Sequence, residues 1–166
     1  IRWNRQGSKY LHKEEIMYRM VVTDLDGTLL NNKKQVSEAN VKAIQNLKDQ
    51  NITFVMATRR TDVMTRAYTK QLKNVDIVIG CDGAVIRNIR TGEILCENHL
   101  RSETCHTTFE ICKKYGLQYY VFAKDELVSD DPQNERFLVH QKFNQTVEED
   151  EEIPMQIADD LNEYVN

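Results

Sequence analysis

Two carboxylates one residue apart, Asp24 and Asp26, followed by Gly27 and Thr28, are the side chains of this 166-residue sequence best arranged to do chemistry. They follow the short apolar and β-branched run Met20-Val21-Val22-Thr23, so a buried strand carries both to its carboxyl end, where both can face a ligand. Gly27 allows the backbone to turn sharply behind them. Carboxylates this close can divide the labour of one reaction, one staying ionised as a nucleophile while the other holds a proton for transfer. Plainer readings stay open: Asp-x-Asp-Gly also makes an ordinary turn or a calcium loop, although a calcium loop needs further oxygen ligands where Leu29 and Leu30 stand.

Two other polar clusters have the same placement. Thr58-Arg59-Arg60-Thr61 follows the apolar run Ile52 to Ala57, and Gly80-Cys81-Asp82-Gly83 follows Val75 to Ile79. Thr58 can be a helix cap, Arg60 can meet a substrate, Asp82 or a surface partner, and Asp82-Gly83 can be a turn alone.

The elements that hold these clusters read as alternating strands and helices. Ser37 with Glu38 starts a helix that presents Val41, Ile44 and Leu47 on one face and ends near Gln50, and a second helix runs from Asp62 to about Leu72. Three strands separated by two helices predict right-handed crossovers and a parallel sheet covered on both faces, with the ligand site beyond the carboxyl ends of the strands. A hairpin follows, Ala84 to Arg87 and Glu93 to Glu97 around a turn at Thr91-Gly92. From about Leu100 an α+β unit begins. It comprises a helix from Ser102 or Glu103 to Tyr115 capped by Gly116, a strand Gln118 to Ala123, a turn at Lys124-Asp125, strands near Leu127 and at Phe137 to His140, and a helix from Pro154 to Val165.

Composition excludes several classes. With 22 basic against 26 acidic residues and a net charge of -4, there is no cationic footprint for nucleic acid. No apolar run approaches the roughly 20 residues that cross a bilayer. Cys81, Cys96, Cys105 and Cys112 form no Cys-x-x-Cys pair and read as reduced thiols of a cytoplasmic protein, and Cys105-His106 with Cys112 matches no zinc spacing. The acidic run Glu148 to Glu152 reads as a solvated loop. Residues 1–17 have the charge pattern of a non-native leader, without the apolar core of a signal peptide.

Val22-Thr23-Asp24-Leu25-Asp26-Gly27-Thr28-Leu29-Leu30 resembles the nucleophile motif of the haloacid dehalogenase superfamily. Phe54-Val55-Met56-Ala57-Thr58-Arg59-Arg60 resembles its second motif in Cof-type sugar-phosphate phosphatases, and Ile79-Gly80-Cys81-Asp82-Gly83-Ala84 is similar to the segment leading into the cap of that subfamily. The resemblance implies an α/β fold with a Rossmann-like three-layer core over 18–98, incomplete here, and a partial α+β cap over 99–166. It further implies hydrolysis of a small phosphorylated metabolite, a sugar phosphate among the candidates, through an aspartyl-phosphate on Asp24. Asp26 then protonates the leaving oxygen and activates water, and Thr58 donates its hydroxyl to the phosphoryl group. Backbone amides from Leu25 through Gly27 to Thr28, with Arg59 and Arg60, cradle the phosphate. An anionic nucleophile facing an anionic phosphate needs charge neutralisation, which points to Mg²⁺ on an Asp24 oxygen and the Asp26 carbonyl.

The chain departs from that pattern in two places. Arg59 stands where the family usually has Gly, and either crowds the phosphate or supplies an extra cation. The later Lys and the acidic Gly-Asp-x-x-x-Asp type of motif have no counterpart before Asn166, so a fragment of a longer protein or a truncated product is expected, with an apolar edge left beside the first strand. Rival readings are a phosphotransferase of the same superfamily, an inactive remnant serving as a binding module, and a phospho-acceptor signalling domain. The last places its acids and its phosphorylated Asp after different strands, whereas here the second and third strands end in Thr58 and Gly80.

Overall fold

The strands form where apolar runs can be buried against helices and are stopped where polar clusters begin. The computed structural model describes residues 18–123 and 125–165, and the expected leader lies outside the described residues. A five-stranded sheet has the order β1 (Met20–Asp24), β2 (Thr53–Ala57), β3 (Ile77–Gly80), β4 (Val85–Asn88), β5 (Ile94–Glu97). The first three strands run parallel and the last two form an antiparallel hairpin on β3. The fold is therefore α/β with a parallel-rich sheet, as expected.

Helix α1 (Glu38–Asp49) begins where the Ser37 hydroxyl oxygen accepts from the Asn40 N–H at 3.2 Å. It buries Ile44, with Val41 and Leu47 beside it, against Phe54, Met56 and Val78 of the sheet. Helix α2 (Arg66–Leu72) adds Tyr68 and Leu72 to the same core and is preceded by a separate helical turn, Val63–Thr65. Among the described residues β1 is the edge of the sheet. Val21 packs into the core, while Met20 and Val22 on the other face are 50% and 52% exposed.

The second unit opens with α3 (Ser102–Tyr115), closed by Gly116 in the left-handed conformation as its sequence predicts. Its three-stranded sheet has the order β6 (Val121–Ala123), β7 (Glu126–Ser129), β8 (Met155–Ile157). Consecutive residues of β7 serve opposite faces. Leu127 packs with Phe137, Ile153 and the Val63-Met64 turn of the first unit, and Val128 packs with Phe109, Ala158 and Leu161.

Three expectations are corrected in this unit. Phe137 to His140 is not a strand but part of helix α4 (Glu135–Asn144). The cap decides it: Asn134, buried, accepts from the Arg136 and Phe137 N–H groups at 3.0 and 3.2 Å, and its amide donates to the Tyr119 carbonyl at 2.7 Å. Pro154 to Val165 is not one helix. β8 pairs in parallel with the open edge of β7, bracketed by Leu127 N–H to the Pro154 carbonyl at 2.8 Å and Ala158 N–H to the Ser129 carbonyl at 2.9 Å, and only a turn, Leu161–Tyr164, is helical. The strand predicted from Gln118 shortens to Val121–Ala123, because Gln118 and Tyr119 give their acceptors to the start of α4.

Candidate active site

The parallel register sets Asp24 directly beside Ala57, which brings the ends of β1 and β2 together. After Asp24 the chain closes a five-residue turn, with the Leu30 N–H donating to the Leu25 carbonyl at 2.9 Å and Leu25 fully buried as its anchor. Gly27 makes that turn at φ 82°, where a side chain would be strained. The Thr28 hydroxyl donates to Asp24 Oδ2 at 3.3 Å. No Lys or Arg of the described residues is ion-paired with Asp24.

The second motif is seated on β3. The Thr58 N–H donates to the Ile79 carbonyl and the Cys81 N–H to the Arg60 carbonyl, both at 2.9 Å, so the loop after β2 lies flat on Gly80. A Cβ on Gly80 would stand 3.0 Å from both the Arg60 carbonyl oxygen and the Asp62 nitrogen, tight enough that the backbone of the loop would have to give way. Thr58 is buried, and its hydroxyl oxygen accepts from the Arg60 N–H at 3.3 Å. Beyond Gly80 three successive residues, Cys81, Asp82 and Gly83, have φ of 50°, 54° and 95° and reverse the chain into β4.

These three strand ends enclose an open cleft of about 310 Å³ lined by Asp24, Ala57, Thr58, Arg59, Ile79, Asp82 and Gly83. A larger recess of about 610 Å³ lies at α4 and β8, lined by Phe137, Asn144, Glu149, Glu152, Ile153 and Met155 among others, and holds none of the candidate catalytic or phosphate-binding residues. The candidate residues, not size, single out the smaller cleft as the candidate site.

Asp26 does not line the cleft with Asp24. Its carboxylate is gripped by Arg60, Nε to Oδ2 at 2.7 Å and Nη2 to Oδ1 at 2.9 Å, and by Lys34 Nζ at 2.8 Å. The hydrogen-bonded Arg60 guanidinium, helped by Lys34 and opposed by partial burial, holds the Asp26 carboxyl down at about 2. Arg60 is raised in turn by Asp26 and lies over the Tyr68 ring at 5.3 Å. Arg60 thus pairs with Asp26, and it is Arg59 that meets Asp82, through Nε at 3.5 Å. Burial, with the nearby Asp62 and Asp82 charges, pushes the Cys81 thiol up, which keeps it in the unreactive protonated form.

Several residues that shape the site carry no local signal in the sequence. Lys34 reaches Asp26 only because a turn with Lys34 at φ 59° brings it back over the loop. Arg87 on β4 joins the buried Asp62 to Asp125 between β6 and β7, the latter at 2.8 and 2.9 Å. The run Glu148 to Glu152 gathers Glu148, Asp150 and Glu151 around Lys70 Nζ at 2.5, 3.0 and 3.4 Å, so a lysine supplies the cation there.

The model of the haloacid dehalogenase-like hydrolases matches residues 21–165. The chain belongs to that family. Haloacid dehalogenase-like hydrolases of known structure from Bacteroides thetaiotaomicron (22% identical, TM-score 0.74, 90% of this chain and 55% of that one) and Bacillus subtilis (21%, TM-score 0.70, 87% and 55%) share the fold. Curated relatives include the phosphatase YwpJ of Bacillus subtilis, 28% identical over 73% of this chain and 41% of its own length. A phosphoglycolate phosphatase of Methanospirillum hungatei is 26% identical over 69% and 50%. The chain spans about half the length, or less, of the curated relatives it matches.

Membership of the haloacid dehalogenase-like hydrolases implies a divalent metal in general. The donor set fits one: Asp24 offers a carboxylate with no cationic partner among the described residues, and hard oxygen donors suit a hard divalent ion. No helix among the described residues is long and apolar enough to cross a membrane.

Proposed function

We propose that this chain carries the nucleophile end of a Mg²⁺-dependent phosphatase acting on a small phosphorylated metabolite, with 18–98 as the core and 99–166 as cap. Asp24 carries the proposal, because it is the carboxylate that lines the cleft with no cation of the described residues neutralising it. One Asp24 oxygen attacks phosphorus, an Asp24–phosphorus bond forms as the bond to the substrate oxygen breaks, and water then releases orthophosphate and restores the carboxylate. Thr58, one residue beyond the partner of Asp24 in β2 and on the cleft lining, gives its hydroxyl to a phosphoryl oxygen in this reading. Amides of Leu25 to Thr28, in the turn behind Asp24, supply further donors.

Asp26 serves as the proton carrier only after leaving Arg60 and Lys34, since in the geometry described it is an anchored anion. The Asp24 carboxylate and the Asp26 carbonyl would hold Mg²⁺, whose charge would offset the repulsion between nucleophile and phosphate. Among the relatives, one named for phosphoglycolate and one for 5-amino-6-(5-phospho-D-ribitylamino)uracil lend support to a small phosphate ester as substrate.

The test is hydrolysis of an aryl phosphate with Mg²⁺ by the chain and by Asp24→Asn. A loss of about a thousandfold or more in the variant is expected. Equal rates end the proposal.

A further inference from the structure

We propose that Arg59 selects phosphate esters whose alcohol part carries a second anionic group, a carboxylate or another phosphate. This rests on the reading of Asp24 as the residue that receives the phosphoryl group, and it adds what sits beyond that group.

Arg59, Arg60 and Lys34, all among the described residues, are not equivalent. Arg60 and Lys34 are committed to Asp26 by contacts of 2.7 to 2.9 Å, and Arg60 also lies over Tyr68. Arg59 lines the cleft itself, its side chain is 89% exposed, and its one ion-pair contact among the described residues is a 3.5 Å approach of Nε to Asp82, a carboxylate 68% exposed. A pair that long and that open to water adds little to stability, so exchanging Asp82 for a ligand anion costs little. The backbone at Arg59 avoids the left-handed region that favours glycine, so the side chain stands there without strain. Of the two alternatives that the sequence leaves open, crowding or an extra cation, the geometry favours the cation.

Its chemistry suits the role. A guanidinium presents paired donors that match a carboxylate or a phosphate, and the residue directly follows Thr58 along the cleft. Asp82 sharpens the choice. While Arg59 is engaged with Asp82, the rim is near neutral; once a ligand anion takes the guanidinium, the Asp82 carboxylate is left exposed to water, where it needs no partner. Without Arg59 the same carboxylate would repel a second anion.

Binding to the Asp24→Asn chain, which holds ligands without turning them over, tests the assignment by calorimetry at low salt. Two ester pairs serve: glycerol phosphate against phosphoglycolate, and fructose monophosphate against fructose bisphosphate. The doubly anionic member of at least one pair is expected to bind about five- to tenfold tighter, and which pair responds separates carboxylate from phosphate. Adding Arg59→Ala should cancel or reverse that ratio, adding Asp82→Asn should raise it, and about 0.5 M salt should shrink it. Asn tolerates the left-handed backbone at position 82, so the second variant keeps the turn. Ratios unchanged by Arg59→Ala, or near one in the parent, overturn the assignment while leaving the Asp24 site intact. Failure of every ester to bind overturns both.

Discussion

Arg60 holds Asp26 through two nitrogens at once, Nε at 2.7 Å and Nη2 at 2.9 Å, across 34 residues of sequence. A fork of this kind locks the loop after β1 to the loop after β2, and it stabilises only the ionised carboxylate.

The pH dependence follows with a definite sign. The Asp26 carboxyl is held near 2 in the folded chain against an ordinary 3.8, so its contribution is complete above about 4 and disappears as pH falls towards 2. The side chain is 37% exposed, and after discounting for solvent screening the contribution is on the order of 1 kcal/mol. Urea unfolding of the chain and of Arg60→Met between pH 2 and 7 should give curves that lie apart at neutral pH and converge in acid. Parallel curves would assign the acid sensitivity to other carboxylates.

Gly80→Ala should destabilise the protein by about 1–3 kcal/mol, because its Cβ meets two backbone atoms at 3.0 Å and backbone cannot swing aside as a side chain can. The loop that must shift carries Thr58, so phosphate binding should weaken along with the melting temperature. A variant with unchanged melting temperature would mean that the loop after β2 does not rest on β3.

Arg87→Met leaves the buried Asp62 carboxylate without its partner and cuts the tie to Asp125. The expected loss is about 2–4 kcal/mol, and Asp62→Asn combined with Arg87→Met should recover part of it. Strictly additive effects in a double-mutant cycle by thermal unfolding would refute the coupling.

Thr58→Val matches the outline of a buried side chain while deleting its hydroxyl and the 3.3 Å contact that it accepts from the Arg60 N–H. If that hydroxyl supports the transferring phosphoryl group, aryl phosphate turnover should fall about ten- to a hundredfold with folding stability changed far less. A fall in stability that accounts for the whole loss of turnover would reduce Thr58 to a loop-bracing residue.

Much of the fold was legible because each parallel strand is a continuous apolar run stopped by a polar cluster, and Ser37 and Gly116 mark helix ends by their own chemistry. The second unit was less legible. Phe137-Leu138-Val139 suits a strand as well as a helix until Asn134 caps it, and Met155 to Ile157 becomes a strand because β7 leaves an open edge beside it.

Within the candidate site, residue types and their order along the chain determined which side chains gather at the strand ends: Asp24 and Asp26 after β1, Thr58 to Arg60 after β2, Asp82 after β3. Family membership follows from that order. Only the tertiary structure decided how the charges are shared, since Arg59 and Arg60 are adjacent in sequence yet one reaches Asp82 in the cleft lining and the other reaches Asp26, which is not part of that lining. The reason is physical. Spacing along a strand and its loop sets which end of the sheet a residue occupies, but the partner of a charge depends on distances across the fold, and Lys34, Tyr68 and Gly80 set those from segments that local sequence does not connect.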